Sequence, residues 1–244
     1  MAGDQSGETE PARRASDRGR YGRLSRERVL ASALDLVDRE GLSALSMRRL
    51  GAELGVEAMA LYRYAASKDA LLDGLVEALY LELEQRLGNG PERGSDWRAG
   101  LHRIARATYD ACLTHPQAVP LLATRLLAVP LARRPAAVLR DHERVLALLR
   151  DAGFDEAATA AVFRAVTAWV LGYVSVELRP TVDNPDETDP AFRLGLHRLS
   201  AKELPLLRET AAALSEPGGH EGLASGLDAL LDSLTGGSSR AASG

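Results

Sequence analysis

The chain has 244 residues, of which 45% are hydrophobic and 26% charged, and its formal net charge is −4. That balance excludes a mostly disordered chain, and a single cysteine, Cys112, excludes a scaffold stapled by intrachain disulfides. No apolar segment reads as a signal peptide, and the longest nearly uncharged run, 157–176, is interrupted by Arg164, so a cytoplasmic protein without a membrane partner is expected.

In chain order, residues 1–22 are polar with almost no apolar periodicity and read as a disordered arm. Seven arginines (13, 14, 18, 20, 23, 26 and 28) face only Asp17 and Glu27 between positions 11 and 28, a surplus of five positive charges. The rest of the chain is therefore acidic, an asymmetry that suits a DNA-binding end on a body that does not touch phosphate. The pattern that follows is helical throughout, without an alternating run long enough for a strand. Ser25 caps a first helix to residue 40, which Gly41 ends. Ser46 caps a second through residue 54, which Gly55 ends. A short third helix covers 58–64, and Ser67 caps a long fourth over 68–87. After the break at 88–91 come helices near 96–114, 117–128, 136–152 and 156–178. A polar connection follows at 180–190, then closing helices near 201–214 and 220–234 and a small-residue tail over 236–244.

The stretch 45–64 carries the functional signal. Leu50, Leu54, Val56 and Leu61 can share one small core with the first helix, while Ala58, Met59, Ala60, Tyr62, Arg63 and Tyr64 are left on the open face of the third. Small residues let a helix approach base edges, and tyrosine and arginine reach phosphates or bases. Lys68, opening the fourth helix, adds a cation beside free backbone N–H groups. The reading is a helix-turn-helix.

Residues 24–87, through the phrases ALDLVDREGLSALSMRRLGAELGV, ALYRY and SKDALLDGL, resemble the DNA-binding domain of the TetR family of regulators in order and spacing. The resemblance implies that Arg48 reads a guanine, that Ser46, Tyr62 and Lys68 contact phosphate, and that Ala58, Met59, Ala60 and Tyr64 occupy the variable recognition positions. Those four depart from the residues of the family's namesake, so a different operator is expected. A weaker resemblance over 95–235 implies a helical ligand-binding and dimerisation domain. The expected organisation is all-α: a three-helix DNA-binding domain over 23–68 and a helical domain over 69–235. Independently, the helix at 156–178 is apolar nearly all round, and Ala161, Ala165, Ala168 and Gly172 permit close helix approach, so a homodimer on a palindromic operator is expected.

Candidate walls of an effector pocket are Tyr109, Leu113, Leu122, Leu126, His142, Leu146, Phe163, Trp169 and Tyr173, suited to a small, largely apolar molecule. The resemblance adds His115, at a position where the namesake's histidine holds a metal-chelated ligand, with Glu177 near an acidic partner's place. A His-Pro pair also ends helices, however, and no cluster with metal-like spacing accompanies it, so neither metal nor cofactor is expected. Glu84 replaces a histidine that contacts the namesake's ligand. The mechanism expected is a population shift: an effector changes the spacing of two recognition helices set about 34–36 Å apart, and operator affinity falls. An enzyme is disfavoured because no nucleophile elbow, phosphate loop or catalytic triad pattern is found. A non-specific nucleic-acid-binding protein is the competing reading.

Overall fold

Three serines start three helices. In the computed structural model, which describes residues 24–88, 96–126, 129–183 and 186–241, the hydroxyls of Ser25, Ser46 and Ser67 accept the backbone N–H groups of Arg28, Arg49 and Ala70 at 3.2, 3.1 and 3.0 Å. Each satisfies one of the donors that a helix start leaves without a partner. The helices they open are α1 (Arg26–Glu40), α2 (Met47–Leu54) and, beyond the four-residue α3 (Ala58–Leu61), α4 (Lys68–Leu87). The sequence predicted α3 to reach residue 64, but residues 62–64 form a turn instead.

The body is built from α5 (Trp97–Thr114), α6 (Ala136–Asp151), α7 (Glu156–Asp183) and α8 (Gly219–Ala241). All regular elements among the described residues are helical. The long α4 packs on α1 at one side and on α5 and α6 at the other, so it joins the two parts of the molecule. Gly74 makes that joint close, because a Cβ there would run into the Leu30 side chain of α1.

Four further expectations fail in detail. The helix predicted over 117–128 is broken into a 3-10 turn (Pro116–Ala118), one α turn (Val119–Leu121) and a wide π turn (Leu122–Leu126). Pro116 and Pro120 bring no N–H to the ladder, and each forces a restart. The long helix α7 passes through Pro180 to Asp183, into the predicted connection. The 201–214 helix is two pieces, Pro205–Glu209 and Ala211–Ser215, preceded by a short helix at Pro190–Arg193. Finally, α8 continues to Ala241, through most of the stretch read as a disordered tail. The arm at 1–22 and Arg13, Arg14, Arg18, Arg20 and Arg23 lie outside the described residues.

Candidate nucleic-acid interface and effector cavity

Gly55, at φ 67°, makes the left-handed turn between α2 and α3, and the N–H of Val56 closes it on the carbonyl of Gly51 at 2.9 Å. Leu45, Leu50 and Leu61 are fully buried beneath the turn, with Leu54 and Val56 packed against them. This core fixes α3 across α2. Gly51 is the residue that sequence reasoning missed: a Cβ there would lie 2.8 Å from the Val56 carbonyl oxygen and 3.2 Å from the Ala58 nitrogen. A glycine inside a short helix, where it costs about 1 kcal/mol relative to alanine, was the available signal.

The open side carries Ser46, Arg48, Met59, Tyr62, Arg63 and Lys68, all exposed; Met59 keeps 76% of its surface and Tyr62 45%. Ala58 and Ala60 are half-buried. Two adjacent arginines have different environments. Arg49 is held by Glu40 and Glu53, and Arg39 also pairs with Glu53 at 2.7 Å, so these charges cancel within the protein. The bond from Arg39, then that from Arg49, keeps the Glu53 carboxyl below its ordinary pKa. Arg48 makes no hydrogen bond or ion pair among the described residues, which leaves its guanidinium to an outside partner. Tyr64 differs from its neighbours: its hydroxyl donates to the Leu24 carbonyl at 2.8 Å, beneath Arg63, whose guanidinium lies 5.7 Å from the ring centre. It ties the end of the motif to the start of α1. Lys68 is exposed at the start of α4, while Asp69 and Asp73 in the same turns are bound by Arg125 from the wide π turn.

In the body, a small cavity of about 40 Å³ lies between α4, α5, α6 and α7. Of the expected pocket residues, His142 and Phe163 line it, in edge-to-face contact with ring centres 5.2 Å apart. The structure does not bring the others there. Trp169 donates its indole N–H to the Leu223 carbonyl at 3.2 Å and Tyr173 its hydroxyl to that of Gly219 at 2.8 Å. Both rings rest on the glycines of α8, where a Cβ on Gly226 or Gly222 would collide with them. Tyr109 is buried beside Tyr173 and His220, while Leu122 and Leu126 are core residues. Leu146 is half-buried and Leu113 is 45% exposed. His115 also lies outside the cavity: its Nδ1 meets Asp38 of α1 at 2.6 Å and its Nε2 meets Glu82 of α4 at 2.7 Å. Glu177 accepts the N–H of Gly219 at 3.0 Å, and both Glu84 oxygens accept from Arg140, through its Nε and Nη2.

Sequence reasoning also missed Asp141. It lines the cavity 7% exposed, at a helical phase shared with Val138, Val145 and Leu149, and burial pushes its pKa up to about 6 against the pull of Arg144. Burial, reinforced by Arg134, lowers that of His142. An acidic residue on the apolar stripe of α6 was the signal. Cys112 is buried, and desolvation raises its thiol to about 12, so it stays protonated and acts as packing. Among the described residues no group of three or more His, Cys, Asp or Glu side chains is arranged to hold a metal.

A helix-turn-helix with an unneutralised arginine, mounted through one long helix on a helical body, is the arrangement of a DNA-binding regulator. The comparisons agree with that class. Residues 29–75 match the model of bacterial regulatory proteins of the tetR family, and residues 90–235 match that of the tetracyclin repressor-like C-terminal domain. The chain belongs to the TetR family. It is 35% identical over 154 residues to an HTH-type transcriptional regulator of Saccharopolyspora erythraea, covering 63% of this chain and 61% of the relative. To the HTH-type transcriptional repressor DrrR1 of Streptomyces coeruleorubidus it is 34% identical over 167 residues, covering 68% and 58%. The chain thus spans about three fifths of the length of these curated relatives. Its fold matches that of the Streptomyces coelicolor TetR family protein ActR in complex with actinorhodin, with a TM-score of 0.66, 25% identity, and coverage of 88% of this chain and 98% of that one.

Proposed function

We propose that this chain is a cytoplasmic, homodimeric, sequence-specific repressor that leaves a palindromic operator when a small effector enters its body, and that it is not an enzyme. The observation that carries the reading is the contrast between Arg48, unpaired among the described residues on the exposed side of the helix-turn-helix, and Arg49, neutralised next to it. Arg48 reads a base, Ser46, Tyr62 and Lys68 hold phosphates, and Ala58, Met59, Ala60 and Arg63 face the groove. Tyr64 supports them from beneath. Relatives named as a transcriptional repressor and as a complex with actinorhodin support repression and a small-molecule signal.

A gel shift of the DNA upstream of its own gene against random DNA at moderate salt tests the reading. Tight binding to the first alone is expected, and equal affinities would favour the non-specific alternative. Arg48→Ala should weaken the specific complex about tenfold or more, given about 1–3 kcal/mol per good base contact, and Tyr62→Ala, which removes a phosphate contact, should weaken binding to specific and random DNA alike, both at unchanged thermal stability. Turnover of any small molecule by the purified protein would overturn the non-enzymatic part.

The dimer rests on α7. Its outward side presents Ala168, Gly172 and Val176, the last 76% exposed, and only 28% of the helix's apolar window is buried within one protomer. So much unburied apolar surface on a soluble helix calls for a partner, and small residues let a second α7 approach closely. Val176→Glu places a charge in that contact and should halve the mass seen by light scattering at micromolar concentration. An unchanged dimer would move the interface elsewhere.

A further inference from the structure

Resting on the effector reading above, we propose that α4, α5, α6 and α7 part around their small cavity to admit a ligand with an apolar, ring-bearing body and one protonated amine, the ammonium lying against the Asp141 carboxylate and beside His142. The wall of this cavity is mostly hydrocarbon, with Leu101, Val166 and Val170 among its members and, among the described residues, hydroxyls only from Tyr80, Thr108 and Thr167. Among the described residues, Asp141 is the one acidic side chain in it, and neither lysine nor arginine lines it. Asp141 Oδ1 and His142 Nδ1 are buried, and neither has a hydrogen-bond partner among the described residues. A buried carboxylate oxygen without a donor is costly, and burial alone makes the group favour its neutral form.

The nearby cation does not resolve this. Arg144, one turn along α6, acts on Asp141 electrostatically, but the two form no ion pair, and the Arg144 terminal nitrogen is itself buried without a partner among the described residues. Glu84, the other charge that acts on Asp141, is already held by Arg140. The imidazole of His142, which burial keeps neutral, leaves a ring nitrogen able to accept. Two acceptors without donors, one of them a carboxylate, select a ligand that brings several N–H groups and a positive charge. A ligand anion would meet the carboxylate, and a neutral ligand would leave the charge uncompensated. Phe163, edge-on to His142, offers an aromatic wall for the ring of such a ligand.

Three probes of one shape separate the alternatives: 1-naphthylmethylamine, 1-naphthylmethanol and 1-naphthoic acid, titrated calorimetrically into the full chain at neutral pH. The amine is expected to bind at least tenfold more tightly than the alcohol and the acid. In Asp141→Asn that preference should shrink to within about twofold while affinity for the alcohol stays the same, an internal control that the cavity is still folded. Equal or tighter binding of the alcohol or the acid, or an amine preference that survives Asp141→Asn, overturns the proposal and leaves the effector reading standing. Failure of all three to bind removes the cavity as a ligand site, and both readings fall.

Discussion

Replacing Gly51 by valine is expected to abolish operator binding while leaving the helical body and its dimer in place. The position sits where the chain turns back on itself after α2, and an added Cβ would be 2.8 Å from the Val56 carbonyl oxygen and 3.2 Å from the Ala58 nitrogen. Both are backbone atoms, so no side chain can rotate aside. Alanine is the mild case. Its methyl is already the atom set 2.8 Å from a backbone oxygen, so the turn must shift to admit it, and the helix propensity that alanine returns, about 1 kcal/mol over glycine, offsets only part of that strain. Valine adds two further methyls and the stiff χ1 of a β-branched residue against the same backbone, which should cost about 3 kcal/mol. The strain falls on the placement of α3, which carries Met59 and leads into Tyr62. A gel shift should show loss of binding for valine and weakened binding for alanine, and circular dichroism should show most helix retained. Normal operator binding by the valine variant would mean that the turn is more compliant than this packing allows.

How far the sequence could be read depended on the range of the interactions involved. Helix starts at Ser25, Ser46 and Ser67, and stops at Gly41 and Gly55, were legible because capping is decided within three or four residues. The core of the helix-turn-helix was legible for the same reason, since Leu50, Leu54, Val56 and Leu61 lie within 12 positions of one another. The proline-spaced stretches at 116–135 and 190–218 were not, because several short turns satisfy such a sequence equally well until packing chooses among them. In the body, helical phase placed Trp169 and Tyr173 correctly on the inner side of α7. It could not tell that the surface they meet is the glycine face of α8, some 50 residues on, rather than the cavity. His142 and Phe163 were found and Asp141 was missed because an apolar-wall template selects aromatics and passes over a carboxylate on the same stripe. Tyr64 was read as a groove contact, and its bond to a carbonyl 40 positions away in the chain carries no sequence signature.

The second large effect is expected at His115, whose partners come from 77 and 33 positions away. The imidazole sits between Asp38 of α1 and Glu82 of α4, with its side chain 13% exposed and theirs 24% and 26%. Arg86 also binds Glu82 and reaches Thr114 at 2.8 Å, so the group closes the junction between the DNA-binding end and the body. The bond to Asp38, and after it the charges of Asp38 and Glu82, hold the histidine above its ordinary pKa of 6.5 against the effect of burial. Burial raises Glu82, but Arg86 and His115 outweigh it and keep that carboxyl low. A raised histidine stabilises the fold fully below its unfolded pKa and loses that contribution as pH climbs through the folded value. The melting temperature of the wild type should therefore fall as pH is taken upward from 6.5. His115→Gln keeps a hydrogen-bonding group but no charge, so it should flatten this slope. Below 6.5 it should melt about 5 °C lower than wild type, since two partly buried carboxylates left facing each other cost about 2 kcal/mol in a chain of this size. Because α1 carries the DNA-binding end, the same variant should also separate the two ends of the molecule in the ligand response: the amine probe would still bind, and operator release would weaken. A pH profile identical to that of the wild type would show that the imidazole is neutral in the fold and that Glu82 keeps its charge through Arg86 rather than His115.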